Sequence, residues 1–227
     1  ALVSCVNASS AYHCGGGFLT GGRHALEEAM CMQSTLYPSL QRAASDIHEE
    51  VSVYGQLLER HIPLGGAILS PGVQVFRGGS NEGYPFWDAA VKLAGVVSIA
   101  APNKNPEMGD SPVDAPEDQE QYSQLLQQTF LAALKASVEC GATEMVIPDV
   151  GCGVFHNDPK DVGKALGSAI SMFRGNLEQV LICGRRAFFE ACAAEIGIDA
   201  SNVENPEVEP SNKSPRTCKN GCGRRPF

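Results

Sequence analysis

The sequence predicts an α/β fold in which helices cover both faces of a mainly parallel sheet. Short apolar runs that are typical of strands alternate with longer helical patterns, and this alternation is characteristic of parallel sheets. One run, GVVSIAA at 95–101, is continuously apolar, as expected for a strand buried on both faces. The 227 residues suffice for one sizeable domain, and 43% hydrophobic against 19% charged residues is a globular composition.

The first half of the chain is predicted to begin with a buried strand over residues 2–7, which runs into a glycine-rich loop. Residues 23–44 follow with apolar side chains at three- and four-residue steps, which predicts a helix. Pro38 should end or kink that helix, because proline lacks the N–H that a helix interior needs. Residues 68–76 have the pattern of strand, turn and strand, and the apolar run at 95–101 is the next strand.

The second half is predicted to repeat helix and strand after a loop rich in Pro, Asp and Gly at 103–116. Its first helix has acidic residues in the first turn and Gly141 after the last, and a later helix opens at Asp158-Pro159. The predicted elements are a helix over 117–139, a strand over 145–148, a helix over 159–173, a strand over 180–184 and a helix over 186–196.

Charge and cysteine content narrow the classes of partner. A formal net charge of -9 argues against a broad basic face that follows a nucleic-acid backbone, so no direct DNA binding is expected. The nine cysteines are odd in number and partly lie in apolar runs, which indicates a reducing compartment, the cytoplasm or the nucleus. No apolar stretch approaches the ~20 residues of a membrane span, and no signal peptide is recognisable, so no membrane partner is predicted.

Two glycine-rich loops, at 15–17 and 151–153, each follow a predicted strand. The carboxyl ends of parallel strands meet at one rim of the sheet, where such folds bind ligands. Glycines let the backbone present N–H groups at close range, which suits an anion such as a diphosphate. The sequence therefore predicts one ligand cleft between the two loops.

Glu27 and Glu28 stand early in the helix that follows the first glycine loop. Acidic residues at this place commonly complement the helix dipole and nothing more. Adjacent helix residues point about 100° apart, so the alternative is that one carboxylate faces the cleft while the other lies at its rim. The neighbouring glycine loop supports this second interpretation, and both stay open at this point.

The second constellation is PDVGCGVFHNDP at 148–159. Its Gly-Cys-Gly turn offers further backbone donors, Phe155 is placed to lie across a sugar or base, and Asn157-Asp158 can cap the next helix. The alternative is an ordinary joint between strand and helix, which leaves the glycines unexplained. Cys152 as a nucleophile is disfavoured, because the sequence does not identify its partner among the histidines near these loops, which are His13, His24 and His156. With no metal-ligand cluster and neither Walker A nor GxGxxG, no metal and no cofactor are predicted.

The combined pattern resembles the poly(ADP-ribose) glycohydrolases. Their signature pairs GGG with a downstream QEE, and here GGG at 15–17 is followed, after residues 18–25, by Leu26-Glu27-Glu28. The resemblance is to the microbial type and extends from about residue 2 to about residue 196. Its further matches are MCMQSTLYPSL at 30–40, SP at 70–71, VFR at 75–77, AAPN at 100–103 and GCGVFHNDP at 151–159. It implies a macrodomain-like three-layer α/β/α sandwich with a mixed, mainly parallel sheet over residues 1–199.

The resemblance also implies a reaction: hydrolysis of the ribose–ribose O-glycosidic bonds of poly(ADP-ribose), releasing ADP-ribose. Glu28 is then the catalytic acid/base, and Glu27 hydrogen-bonds a ribose hydroxyl and positions it. The implied partners are poly(ADP-ribose) or ADP-ribosylated proteins, with ADP-ribose as product or ligand. The implied ligand-binding residues, for the diphosphate and the distal ribose, are Ser10, His13, Gly15, Gly16, Gly17, Phe18, Gly151, Cys152, Gly153, Val154 and Phe155.

The sequence departs from the family pattern at three residues. Leu26 replaces the Gln of QEE, while Ser10 and His13 stand where relatives often carry Asn. The segment that precedes the GGG strand in the family is also predicted to be missing. These departures keep open an alternative function, a catalytically impaired macrodomain that binds ADP-ribose as a reader.

The end of the chain differs in character from its body. Residues 200–216 are polar and rich in Pro and Ser, which predicts a linker. Residues 217–227 are basic and contain Cys218 and Cys222. Two cysteines cannot complete a four-ligand zinc site, so this tail is interpreted either as inert or as the start of a truncated Cys-rich module.

Overall fold

The computed structural model describes residues 1–21, 25–47, 49–53, 55–109 and 111–200. Apart from its first residue, the predicted linker lies outside the described residues, and so does the predicted tail. All described cysteines are free thiols. Within the described ranges, no helix has both the length and the apolar character needed to cross a membrane.

Helices and strands alternate in the second half of the described chain, whereas the first half has two successive helices followed by a run of strands. In chain order the elements are β1 (Val3–Ala8), α1 (Leu26–Gln33), α2 (Leu36–Asp46), β2 (Glu49–Val53), β3 (Gln56–Arg60), β4 (Ile68–Pro71), β5 (Gln74–Arg77), a 3₁₀ turn (Ser80–Glu82), β6 (Phe86–Lys92), β7 (Gly95–Ile99), α3 (Gln119–Glu139), β8 (Glu144–Ile147), α4 (Pro159–Met172), β9 (Gln179–Ile182) and α5 (Arg186–Glu195).

A five-stranded sheet in the order β4-β7-β1-β8-β9 forms the centre of the molecule. Strand β1 pairs in parallel with both β7 and β8, and β8 with β9, whereas β4 runs antiparallel to β7. Helices α3, α4 and α5 pack on one face of the sheet, and α1 and α2 lie on the other. The predicted class, an α/β sandwich around a mixed, mainly parallel sheet, is confirmed.

Strand β7 shows why its sequence is continuously apolar. Val97 and Ile99 contribute to the core beneath α3 and α4, while Val96 contributes to the core beneath α2. All five residues of β7 are buried, and β-branched side chains suit such a strand. The helix starts also follow local rules, since Asp118 and Asp158 each cap the first turn of their helix by accepting a backbone N–H.

The single helix predicted over 23–44 is wrong, because the structure has two helices with a break at Ser34-Thr35. The break occurs because Ser34 bridges to Val75 and the Thr35 amide donates to the Gln74 carbonyl, so tertiary pairing with β5 takes these residues out of the helix. Pro38 does not end a helix. It lies in the first turn of α2, where a missing N–H leaves no bond unmade.

Two hairpins were not predicted from the sequence. Strands β2 and β3 pair with each other, and so do β5 and β6, outside the central sheet. The predicted strand–turn–strand at 68–76 is thereby divided, because β4 joins the central sheet and β5 joins a hairpin. Strand β6 is exposed at every residue, so it lacks the apolar alternation by which a half-buried strand is recognised.

Candidate active site

A cavity of about 310 Å³ opens at the carboxyl ends of β1 and β8, beside the start of α1. Both predicted glycine loops reach it, since Gly16 of the first and Gly151 and Gly153 of the second line its wall. Parallel neighbours in the sheet bring the two loops to the same rim, as the strand pattern predicts. The lining residues are Ala8, Ser9, Ser10, Gly16, Ala25, Leu26, Glu27, Glu28, Ala101, Met108, Ser111, Pro148, Asp149, Val150, Gly151, Gly153, Val154, Phe155 and Arg185.

Glu27 is a buried carboxylate on the cavity wall, with 3% of its surface exposed. Its two oxygens accept backbone N–H groups from Ser10 at 2.8 Å and Gly15 at 3.1 Å. Burial raises its pKa from 4.5 to about 7, because desolvation outweighs these donors. Glu27 therefore ties the end of β1 to the first glycine loop and can exchange a proton near neutral pH.

Glu28, the next residue of α1 after Glu27, is the second carboxylate on the cavity wall. Its Oε1 accepts the backbone N–H of Gly17 at 2.8 Å. Its Oε2 is buried and has no hydrogen-bond partner among the residues described. Glu28 also lines the cavity, so the cleft wall contains a carboxylate with one buried, unpaired oxygen.

The first glycine loop holds these carboxylates. Two of its three amides serve Glu27 and Glu28 as above, and the Gly16 amide donates to the His13 carbonyl at 2.9 Å. The expectation that this loop presents free N–H groups to a diphosphate is therefore wrong for all three glycines. Gly16 has φ +56°, and a Cβ there would lie 2.5 Å from Oε1 of Glu28, so the carboxylate occupies the space that a side chain needs.

The second loop leaves only part of its backbone N–H groups open, because the Cys152 amide donates to the Asp149 carbonyl at 3.1 Å. Within the described chain, the N–H groups of residues 153–155 have no acceptor in the protein. Gly151 has φ +76° and a Cβ there would lie 2.5 Å from that of Ala101, so the loop lies tightly against the end of β7. Asn157 secures it by donating to the carbonyls of Gly151 and Pro102. Donors for an anion are thus found on this loop.

The predicted site residues fall into two groups. Eight of them line the cavity: Ser10, Gly16, Glu27, Glu28, Gly151, Gly153, Val154 and Phe155. Five others are not among its lining residues: His13, Gly15, Gly17, Phe18 and Cys152. Phe18 packs its ring against Tyr37 at 5.0 Å instead, and His24 lies outside the described residues.

The lining residues that the sequence did not single out include Met108, Ser111, Asp149 and Arg185. Met108 and Ser111 come from the long loop after β7, which carries no motif. Asp149 and Arg185 form an ion pair on the cavity wall. Asp149 lies inside the PDVGCG segment, so its place beside a glycine turn was the one available signal.

Cys152 is buried, with its thiol directed to the Val150 carbonyl. Desolvation raises its pKa to about 12, so it stays a thiol at neutral pH and is a poor nucleophile. For the reaction that the sequence resemblance implies, we expect Cys152→Ala to keep ADP-ribose release from poly(ADP-ribose) within a few-fold of wild type. A loss of turnover comparable to that of a Glu28 variant would instead assign the chemistry to the thiol.

The buried Glu27 predicts a pH effect on stability. In the folded protein the pKa of Glu27 is raised to about 7. Between pH 4.5 and 7 this carboxyl is therefore protonated to a greater extent in the folded than in the unfolded protein. Its contribution is therefore fully present below pH 4.5 and is lost as the pH rises through 7. Across this window, we expect the free energy of unfolding of wild type to fall by up to about 3 kcal/mol relative to that of Glu27→Gln. Urea unfolding of both proteins measures this, and parallel pH profiles would contradict it.

The chain is similar to known poly(ADP-ribose) glycohydrolases. Residues 1–78 match the family model of the microbial-type PARG catalytic domain. The poly(ADP-ribose) glycohydrolase of Thermomonospora curvata, solved with the inhibitor ADP-HPD, is 27% identical over 86% of this chain and 71% of its own, with a TM-score of 0.63. The enzyme of Deinococcus radiodurans in complex with ADP-ribose shares the fold at 23% identity over 87% and 76%, with a TM-score of 0.56. No curated protein sequence matches the chain.

The fold, the cleft and the similarity to solved glycohydrolases together give the class, an α/β glycoside hydrolase with a macrodomain-like sandwich. Within that class, the chain is similar to the microbial-type poly(ADP-ribose) glycohydrolases.

Proposed function

We propose that the protein hydrolyses the ribose–ribose O-glycosidic bonds of poly(ADP-ribose) and releases ADP-ribose. The observation that carries this proposal is the pair Glu27-Glu28 on the wall of the cleft, each held by amides of the glycine loop, with one oxygen of Glu28 left unpaired. A protein that only binds ADP-ribose has no need of a carboxylate fixed in this way. We assign the activity to the domain over residues 1–199.

Glu28 acts in both halves of the reaction. It gives a proton to the leaving ribose oxygen as the glycosidic bond breaks and positive charge develops on the ribosyl carbon. A water molecule then attacks this carbon, and its proton returns to Glu28, so the carboxyl group ends as it began. This scheme uses one carboxyl group for two roles that most glycosidases divide between two. The fixed amide of Gly17 keeps the reacting group in place between the two steps.

Glu27 supports the reaction by accepting a hydrogen bond from a hydroxyl of the distal ribose. Its oxygens already receive two N–H groups, so it is oriented before the substrate arrives. Phe155 packs against the sugar, and the open amides of residues 153–155 receive the diphosphate. Since a diphosphate is bound there by uncharged donors, the acidic chain needs no basic face to bind a polyanion.

A second function is favoured by one observation. Leu26 lines the cavity with 39% of its surface exposed, where the family signature has Gln. An apolar residue there removes a polar contact from the cleft, which favours a reader that binds ADP-ribose without cleaving the polymer.

Product release separates the two functions. Wild-type protein is incubated with poly(ADP-ribose), and free ADP-ribose is quantified, while calorimetry measures ADP-ribose binding by the same preparation. Release of ADP-ribose supports the hydrolase. Binding without release assigns the reader, and the absence of both contradicts the two functions together. The rate is then compared between free poly(ADP-ribose) and poly(ADP-ribose) attached to a protein, which shows whether the attached protein affects turnover.

A further inference from the structure

A buried polar network joins the β2–β3 hairpin to the cleft. Arg60, at the end of β3, forms an ion pair with Asp114 at 2.8 Å, and their side chains are only 3% and 9% exposed. Tyr12 donates its hydroxyl to the same carboxylate oxygen at 2.8 Å and also accepts from Arg60 at 3.3 Å. The other Asp114 oxygen accepts the Asn103 amide at 2.6 Å. Both oxygens of Asp114 are therefore held.

This network fixes the short segment 10–12 that follows β1. The hydroxyl of Tyr12 anchors its end through Asp114, and the carbonyl of Ala11 accepts the His61 amide at 2.9 Å. The first residue of the segment, Ser10, donates its amide to Glu27. A shift of Tyr12 therefore moves the donor that orients Glu27.

The opposite wall of the cleft is held by other groups. Asn105 donates its side chain to the Val154 carbonyl at 2.8 Å. Tyr122 donates its hydroxyl to Asn157 at 2.7 Å, and Asn157 in turn secures Gly151. The wall that carries Glu27 and Glu28, the carboxylate wall, is thus supported by the hydroxyl of Tyr12. The wall formed by residues 151–155, the anion-binding wall, is supported by the hydroxyl of Tyr122.

We propose that Tyr12, Arg60 and Asp114 are positioning residues for hydrolysis, which hold segment 10–12 so that Glu27 stays oriented beside Glu28. The inference rests on the proposed function. It assigns a role to the β2–β3 hairpin, which lies outside the central sheet and delivers Arg60 to the network. A buried charge pair is costly to desolvate, and fixing the geometry of reacting groups is a benefit that offsets this cost, since small displacements strongly lower turnover.

The test compares two variants that lose the same chemical group. Tyr12→Phe removes the phenol hydroxyl behind the carboxylate wall, and Tyr122→Phe removes one behind the anion-binding wall. We expect Tyr12→Phe to lower kcat about 10-fold with KM within twofold of wild type. Tyr122→Phe is expected to raise KM and to weaken ADP-ribose binding while kcat changes less. Thermal unfolding of both variants reports the folded fraction.

The outcomes are distinguishable. A kcat for Tyr12→Phe within twofold of wild type, or a loss equal to that in Tyr122→Phe, overturns the positioning role. A kcat loss that merely follows the folded fraction does so as well. Asp114→Asn is a poorer variant, because it leaves Arg60 buried without its counter-charge and endangers folding. Lack of turnover in wild type overturns the proposed function and this inference together, whereas wild-type turnover with an unaffected Tyr12→Phe overturns only the inference.

Discussion

Glu28→Gln is expected to release ADP-ribose from poly(ADP-ribose) at least about 100-fold more slowly than wild type, because general acid–base catalysis contributes on this order or more. The amide has nearly the same shape, and its oxygen can still accept the Gly17 N–H that Glu28 accepts at 2.8 Å. What it cannot do is give up and regain a proton. We therefore expect the affinity for ADP-ribose, measured by calorimetry, to change only a few-fold.

Glu178→Gln is the matched control, since Glu178 is exposed just before β9. It should release product at the wild-type rate. Equal rates for Glu28→Gln and wild type would remove the acid/base role from Glu28 and leave the assignment of the reaction without its central residue.

Gly16→Ala is expected to lower kcat about 100-fold or more, because displacing a reacting group by about 1 Å has effects of this size. The new Cβ would lie 2.5 Å from Oε1 of Glu28 and 3.3 Å from Oε2 of Glu27, so at least one carboxylate must move. The positive φ of +56° adds a conformational cost of about 1 kcal/mol in the free energy of unfolding. Steady-state kinetics on poly(ADP-ribose) and thermal unfolding measure the two effects.

Gly21→Ala separates strain from displacement. Gly21 also has a positive φ, +68°, but a Cβ there meets nothing within 4 Å. It should show a similar loss of stability and retain turnover. If both variants lost activity equally, backbone strain and not displacement of the carboxylates would be the cause.

Much of the fold could be predicted because its elements carry local signals. The apolar run of β7 and the capping residues Asp118 and Asp158 each act within a few neighbours in the chain. The elements that sequence patterns missed or misplaced depend on distant partners. The break at Ser34 exists because β5 pairs there, and β6 is formed by hairpin pairing alone, without burial to pattern its residues.

The site shows the same division. Its glycine loops and its Glu pair are visible as motifs, because close backbone approach requires glycine and proton transfer requires a titratable group. Met108, Ser111 and Arg185 reach the cavity from loops that carry no comparable signal. Nor does any local pattern connect Tyr12 with Arg60 and Asp114, which are distant from one another in the chain.

The sequence by itself determined the class of fold, the rim at which the cleft opens and the chemical groups available there. Those properties follow from periodicity and residue type, which act locally. Only the tertiary structure decided how the groups are used. In the first glycine loop the amides of Gly15 and Gly17 donate to Glu27 and Glu28 and that of Gly16 to the His13 carbonyl, whereas the amides of residues 153–155 stay open. The physical reason is that a hydrogen bond depends on the distance and direction between two groups, and for residues distant in sequence only the packed fold sets them.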